Sequence, residues 1–379
     1  MLSDQPSLYQ KRIAVAMSGG VDSSVTAALL LQAGAEVEGV FMRLAQPGID
    51  DHQRRVEGVA AHLGIPLTVL DLSESFAQKV LQPFVAAYLA GVTPNPCVFC
   101  NRQIKFGLLL EAMLARRADF LATGHYVRLT PAPPGIAGAA GATDADDLAL
   151  RRGGDPRKDQ SYFLCRLKRE VLPRILFPLG EKRKTEVYEM AAGLGLSGRH
   201  GPESQDVCFL GGQSVADFLT AYVERAEAEQ NGPVVAAEGL IVTVEGRQVG
   251  RHRGVFRYTI GQRRGLGIPD ATPYYVVALD VKANRVVVGK PEDLLRRQIR
   301  LADLNWLIDP PRLPGRFTVQ LRHRHRPAPA LVEAAADGTI TLTFDQPQRA
   351  PAPGQYAALY HDDQLLAGGE ILPLLSLSA

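Results

Sequence analysis

RIAVAMSGGVDSSVTAALLLQAGA, residues 12–35, decides how the rest of the chain is read. RIAVAM is a short apolar run and predicts a buried strand; SVTAALLLQAGA is Ala/Leu-rich and predicts a helix. SGGVDSS lies between them. Gly19 and Gly20 permit positive φ and let backbone amides approach an anion closely. Ser23 and Ser24 fall in the first helical turn, where free N–H groups and the helix dipole favour phosphate. Asp22 is badly placed for bare phosphate and well placed for a magnesium ion carried by a nucleotide. No G-x-x-x-x-G-K-[ST] occurs, so this is a phosphate loop of another kind than Walker A. Outward from it, EVEGVFMRL predicts a second strand, RRVEGVAAHLGI a helix, PLTVLDL a third strand and ADFLATGHY a further strand ending in the polar group GHY. This alternation predicts a parallel, doubly wound α/β sheet.

At 379 residues the chain is long enough for two or three domains. With 46% hydrophobic and 22% charged residues it has the balance of a globular protein. No apolar run reaches the length of a membrane span, and MLSDQPSLYQKR has no apolar segment of the secretory kind, so a cytoplasmic protein with no membrane partner is expected. Four cysteines do not make a disulfide scaffold in a chain this size. Between Arg251 and Ala330 there are 16 Lys/Arg against 6 Asp/Glu. That excess suits a polyanion such as nucleic acid and equally suits a solvated basic face. Pro131–Asp147, rich in Pro, Gly, Ala and Asp, predicts a mobile loop inside a domain. KTEVYEMAAGLGL predicts a helix, and Gly193, Gly195 and Gly198 match G-x-G-x-x-G only by spacing, since they follow a helix where a dinucleotide fingerprint follows a strand. Beyond Leu210, VTVEG, YYVVALDV, RVVVG, FTVQLR, TITLTF and QYAALYHDDQLLAGGEI predict one or two small β-rich units.

Cys97 and Cys100 lie in TPNPCVFCNRQIKFG, Cys208 in ESQDVCFL, and Cys165 in SYFLCRL, where it reads as a buried small hydrophobe. The first pair sits in a turn running into a basic helix (Arg102, Lys105), a setting expected to lower thiol pKa values. Surface thiols and half of a zinc site are the other readings. His323 and His325 would have to complete the zinc site, and their alternation with Arg322, Arg324 and Arg326 disfavours a dication. Cys97, Cys100 and Cys208 as three ligands of an iron–sulfur cluster remain open.

The set as a whole resembles the tRNA-specific 2-thiouridylases, a family of the PP-loop ATP pyrophosphatase superfamily. AMSGGVDSS, GVFM, TPNPCVFCN, IKFG, ATGHY, KDQSYFL, FPLG, ESQDVCF, YTIGQRRGLGI and PGQYA occur in family order over nearly the whole chain. The resemblance implies a PP-loop/HUP-like catalytic domain over residues 1–212, a central β-rich, tRNA-contacting domain over 213–297 and a C-terminal β-barrel over 298–379. It implies ATP and magnesium as cofactors, tRNA as partner and a sulfur donor or relay protein upstream. Carried over residue by residue, Ala16, Met17, Ser18, Gly19, Gly20, Val21, Asp22 and Ser23 would bind the phosphates, with Met42 and Gly124 near the adenosine. Asn95, Pro96 and Cys97 would touch the target base. Cys100 matches the nucleophile and Cys208 the persulfide carrier. His125, Lys158, Asp159, Gln160, Arg322, His323 and Gln355 would contact tRNA.

Three departures stand out. Cys97 replaces the family's usual Asp, removing an acid or base and creating a C-x-x-C. His323 stands where Tyr is usual, keeping a ring and adding a possible charge. The segment before ESQDVCF reads RHG where a lysine is usual, so one phosphate or nucleotide contact is expected to be missing there. The implied reaction is adenylation of the wobble uridine's C2 oxygen followed by sulfur transfer, either from a Cys208 persulfide with a Cys100–Cys208 disulfide left behind, or through an iron–sulfur cluster. A small-molecule PP-loop ligase and a metal-stabilised RNA-binding protein are the alternatives.

Overall fold

The computed structural model describes residues 8–132, 148–201, 207–228, 238–269 and 271–373. The expected loop 131–147 lies outside them from residue 133 on. The first sheet is parallel and runs β3-β2-β1-β4-β7. Its strands are β1 (Arg12–Ala16), β2 (Glu36–Arg43), β3 (Leu67–Asp71), β4 (Phe120–Ala122) and β7 (Ile175–Leu176). The order reverses at β1, whose C-terminal end carries SGGVDSS, the place where open α/β sheets bind ligands. Helix α1 (Val21–Gln32) and helix α2 (Ile49–Leu63) make the crossovers. Ile13, Val15, Val25 and Leu30 are sealed in the core between sheet and helices. The doubly wound α/β expectation holds.

β5 (Val127–Pro131) and β6 (Leu148–Arg152) leave this sheet as an antiparallel hairpin. Leu210 does not open directly into β structure: a helix, Val215–Ala228, comes first. A four-stranded sheet follows in the order β10-β11-β8-β9, from β8 (Gly239–Thr243), β9 (Gln248–His252), β10 (Tyr275–Asp280) and β11 (Arg285–Gly289).

The last unit comprises β12 (Leu295–Trp306), β13 (Gly315–Gln320), β14 (Ala328–Ala334), β15 (Ile340–Arg349), β16 (Tyr356–His361) and β17 (Gln364–Ile371). The order β12-β15-β14-β13-β16-β17 closes through pairing of β12 with β17, making a six-stranded barrel. Closure removes the exposed edges that an open sheet would leave. The β5–β6 hairpin extends this sheet from β17, with Arg151 opposite Gln364. One apolar cluster accordingly runs across both units: Val127, Leu150, Tyr162 and Cys165 pack with Leu307, Tyr356, Tyr360 and Leu365.

Candidate active site

The phosphate loop is held by its own hydroxyls. Ser23 Oγ donates to the Gly20 carbonyl at 3.1 Å and accepts from Ser18 N–H at 3.2 Å, while Ser24 Oγ donates to the same carbonyl at 3.0 Å. Gly19 takes φ +77°, a conformation glycine adopts without strain. Met17 and Val21 are buried in the core and so offer the loop backbone rather than side chain. Gly124, at the end of β4, presses on the start of α1: a Cβ there would lie 2.9 Å from the Asp22 carbonyl carbon and 3.0 Å from Ser23 N. Met42 packs beneath, between two apolar clusters.

Asp22 is not a free carboxylate. Lys184 Nζ donates to both its oxygens, at 2.7 and 2.8 Å, and the Tyr126 hydroxyl donates at 2.6 Å. A magnesium ion arriving with ATP would meet Asp22 only by displacing the ammonium. Neither Lys184 nor Tyr126 was singled out from sequence; a lysine close after FPLG and the tyrosine of GHY were the available signals.

Cys97 and Cys100 lie on a helix that begins at Pro96, capped by the Asn95 side chain, which accepts from Val98 N–H at 3.4 Å. From Cys100 to Leu109 the helix is wound as a π-helix, a form concentrated at functional sites. Cys208 opens a single 3₁₀ turn whose Phe209 and Leu210 join the apolar cluster that also receives Cys100. Cys208 is near enough to act on the ionisation of Cys100, and Cys97 acts on both. All four cysteines are unbridged, and Cys165 is fully buried as expected.

The expectation of depressed thiol pKa values is overturned. Burial pushes Cys100 up to about 12 and Cys97 upward as well; Cys208, exposed on one side but packed on the other against the same apolar cluster, is pushed up to about 11; Lys105 opposes the shift at all three and loses to desolvation. Among the described residues no three or more Cys, His, Asp or Glu side chains are grouped to hold a metal ion. Without such a grouping, Cys97, Cys100 and Cys208 as they stand do not make the ligand set of an iron–sulfur cluster. The zinc alternative fares no better: His323 Nε2 meets the Asp159 carbonyl at 3.2 Å, and His325 Nε2 meets Gln348 Oε1 at 3.1 Å.

A cavity of about 1170 Å³ joins these parts. Its wall includes Asp22, Asn95, Pro96, Cys97, Gly124, His125, Lys158, Asp159, Gln160, His323 and Gln355. Lys105, Arg324 and Arg326 add positive charge. Cys100 and Cys208 are outside the lining, but their chain neighbours Asn101 and Val207 are in it. Arg322 is also outside, its Nη1 donating to the Arg349 carbonyl at 3.3 Å.

Several of the expected tRNA contacts serve the protein itself. Asp159 receives Arg152 Nη1 at 2.7 Å, Gly153 N–H at 3.1 Å and both N–H and hydroxyl of Ser161 at 3.0 Å. Gln160 Oε1 accepts from Tyr126 N–H at 3.0 Å. Gln355 Nε2 donates to the Thr93 and Pro94 carbonyls at 3.0 and 3.3 Å, fixing the turn before the cysteines. His125 is sandwiched with Phe106 and Phe177 and bonded to Thr123 Oγ1 at 2.7 Å; burial lowers its pKa well below the usual value. His323 stacks on Phe163 with ring centroids 4.4 Å apart, and burial lowers its pKa too, so the charge allowed for it from sequence is absent at neutral pH. Sequence reasoning also passed over Asn101. It is 3% exposed, its Nδ2 donates to the Phe163 carbonyl at 3.2 Å, and its buried Oδ1 has no partner.

Three family models match in succession: a tRNA methyl transferase HUP domain over residues 11–212, a tRNA methyl transferase PRC-barrel domain over 218–290 and an aminomethyltransferase beta-barrel domain over 296–371. Among similar curated proteins is a tRNA-specific 2-thiouridylase MnmA of Trichlorobacter lovleyi, 45% identical over 366 residues, covering 95% of this chain and 97% of that one. Proteins of the same name from Desulfotalea psychrophila and Methylobacterium radiotolerans are 42% and 40% identical, covering 94% and 98% of this chain and 98% and 96% of theirs.

Proposed function

The chain belongs to the tRNA-specific 2-thiouridylase family, and from that premise we propose that it thiolates uridine in tRNA at the expense of ATP, as a tRNA-uridine 2-sulfurtransferase acting on the wobble position. The observation that carries this reading is the single cavity lined at once by the phosphate-loop aspartate, the cysteine helix and the Arg/His loop of the barrel. A small-molecule ligase has no use for the last two. Uracil C2 has no leaving group until its oxygen is adenylated; the oxygen then departs as AMP. The loop amides beside Ser18–Ser23 stabilise the pyrophosphate released in that first step.

Sulfur arrives as a persulfide on Cys208, loaded by a donor protein. Cys100 attacks the inner sulfur, the Cys208 S–S bond breaks, and a Cys100–Cys208 disulfide forms as sulfide is released onto C2. A thiol reductant then supplies two electrons to reopen the disulfide. We assign the chemistry to this route and none of it to an iron–sulfur cluster. Cys97 borders the base, and the unpartnered Oδ1 of Asn101 accepts the uracil N3–H, which cytosine lacks. Asp22 is the carboxylate that would hold a magnesium ion brought by ATP once Lys184 withdraws, and the ion would screen the phosphates. The Arg-rich barrel loop neutralises the anticodon backbone. No helix among the described residues is long and apolar enough to cross a membrane; a tRNA substrate and cysteines used as thiols suit a cytoplasmic enzyme.

The test is a reaction with unmodified tRNA, Mg·ATP and a persulfide donor, with AMP and 2-thiouridine measured together. Cys100→Ser and Cys208→Ser are expected to abolish 2-thiouridine. AMP without 2-thiouridine from the parent enzyme would reject the reading in favour of the ligase, and 2-thiouridine at the parent rate in both variants would reject the cysteine route.

A further inference from the structure

The phosphate loop lacks the cation that a departing pyrophosphate needs, because Lys184 is committed to Asp22. Other cations near the loop are committed as well: Arg43 pairs with Asp50 and Gln53, and Arg54 with Asp51. Arg55, on α2, is the exception. It makes no hydrogen bond or ion pair with any described residue, and its Nε is buried without a partner.

Its position is fixed by two glycines of the loop region. A Cβ on Gly19 would lie 3.3 Å from the His52 carbonyl oxygen and 3.4 Å from Arg55 Cβ, so α2 is packed directly on the loop. A Cβ on Gly201 would lie 3.0 Å from Arg55 Nε, 3.3 Å from Cζ and 3.5 Å from Nη2, so the guanidinium lies against Gly201. Gly201 N–H in turn donates to the Gly19 carbonyl at 2.9 Å. Gly201 carries no side chain, and the guanidinium of Arg55 takes the room that a Cβ there would need. An unneutralised, part-buried guanidinium beside a phosphate loop is a fork of N–H donors waiting for an oxyanion.

We propose that Arg55 binds the β- and γ-phosphates of ATP and retains pyrophosphate as the adenylate forms, supplying positive charge to the loop from α2. The inference rests on the loop binding ATP and not on what is adenylated.

The full chain, without tRNA, is titrated with inorganic pyrophosphate and, separately, with AMP by calorimetry. Arg55→Gln is expected to weaken pyrophosphate at least tenfold and to leave AMP within twofold; Arg55→Lys, which keeps the charge, loses less pyrophosphate affinity than Arg55→Gln. Unchanged pyrophosphate affinity in Arg55→Gln overturns the proposal. So does an equal loss of AMP and pyrophosphate, which would mean that Arg55 only props up the loop. If the parent binds pyrophosphate and never thiolates tRNA, the thiolation reading fails while this one stands.

Discussion

Asp22 and Lys184 form a pair whose two halves sit in unequal surroundings, and that inequality has a measurable consequence. The Lys184 side chain is 9% exposed and that of Asp22 28%. Asp22→Asn leaves an ammonium buried beside a neutral amide. Breaking a buried pair from one side costs about 3–5 kcal/mol; the amide oxygen still accepts from Nζ, so about 3 kcal/mol is expected. Lys184→Met instead leaves a carboxylate that keeps the Tyr126 hydroxyl at 2.6 Å and has access to water. Its cost is about 1 kcal/mol, the scale of one net hydrogen bond. At roughly 2–4 °C per kcal/mol for a unit of this size, the melting temperature falls by about 6–12 °C in the first variant and by about 2–4 °C in the second. The double variant removes both charges and is expected to be about 1–2 kcal/mol more stable than the sum of the single effects predicts. Thermal unfolding of the four proteins provides the cycle. Equal costs, or the larger cost at Lys184, would refute the argument that burial of the ammonium governs the pair.

Three other outcomes follow from the site. With its pKa near 12, Cys100 is about 10⁻⁴ ionised at pH 8. Iodoacetamide labelling read by mass spectrometry should therefore still climb tenfold per pH unit at pH 10 and lag Cys208 by about tenfold; a plateau below pH 9 would contradict the burial. The sign for stability is the same: the protonated thiol is favoured in the fold, so its contribution is complete below about pH 9 and is lost as pH rises towards 12. Gly124→Ala forces a Cβ to within 2.9 Å of the Asp22 backbone, where no flexible side chain is available to yield. Overpacking of that kind costs about 1–3 kcal/mol, so ATP affinity should fall roughly tenfold by titration, and wild-type affinity would show that the contact relaxes freely. Asn101→Leu removes the acceptor assigned to uracil N3–H; kcat/KM for tRNA should fall by about 10–100-fold with KM for ATP unchanged, and an unchanged rate would remove Asn101 from base recognition.

Local signals carried most of the fold. The apolar run of β1, the glycine turn and the Ala/Leu helix are contiguous, and each segment's own pattern agrees with its place in the sheet. The β-branched runs after residue 238 likewise became strands. What the sequence did not disclose depends on contacts far apart in the chain. The β5–β6 hairpin reads as part of the catalytic unit, yet it hydrogen-bonds to β17 at Gln364. Lys184 and Asp22 are 162 residues apart, so nothing local marks them as partners. The thiols were misjudged for the same reason. A cation two or five residues from Cys100 is visible in the sequence, whereas the burial that outweighs it is contributed by Val207, Phe209 and the helices beneath.

The raised thiol pKa values bear on when the sulfur chemistry begins. The barrel is not a loosely tethered arm: Arg152 bonds Asp159 at 2.7 Å and Gln320 at 2.9 Å, its guanidinium stacks 3.7 Å over the Tyr360 ring, and a Cβ on Gly368 would lie 2.7 Å from Cys165 Sγ. An interface with a shared apolar core and buried polar links does not hinge at low cost. The cavity is therefore built before tRNA arrives, while Cys100, the proposed nucleophile beside it, is held as a thiol. Ionising Cys100 requires either an added positive charge or less burial, and Lys105 alone does not suffice. Substrate binding supplies negative phosphate, which pushes the thiol the wrong way. The remaining lever is exposure: the Cys208 turn ends at Gly211 and Gly212, with φ of +57° and +85°, two residues able to absorb a change in backbone direction. On the proposed route, displacing that turn would uncover Cys100 on the side from which Cys208 would approach it, so the same movement that ionises the proposed nucleophile would deliver the persulfide. Replacing both glycines by alanine should then slow thiolation while leaving the adenylation step, measured as AMP/pyrophosphate exchange, near its parent rate; equal slowing of both would locate the barrier elsewhere.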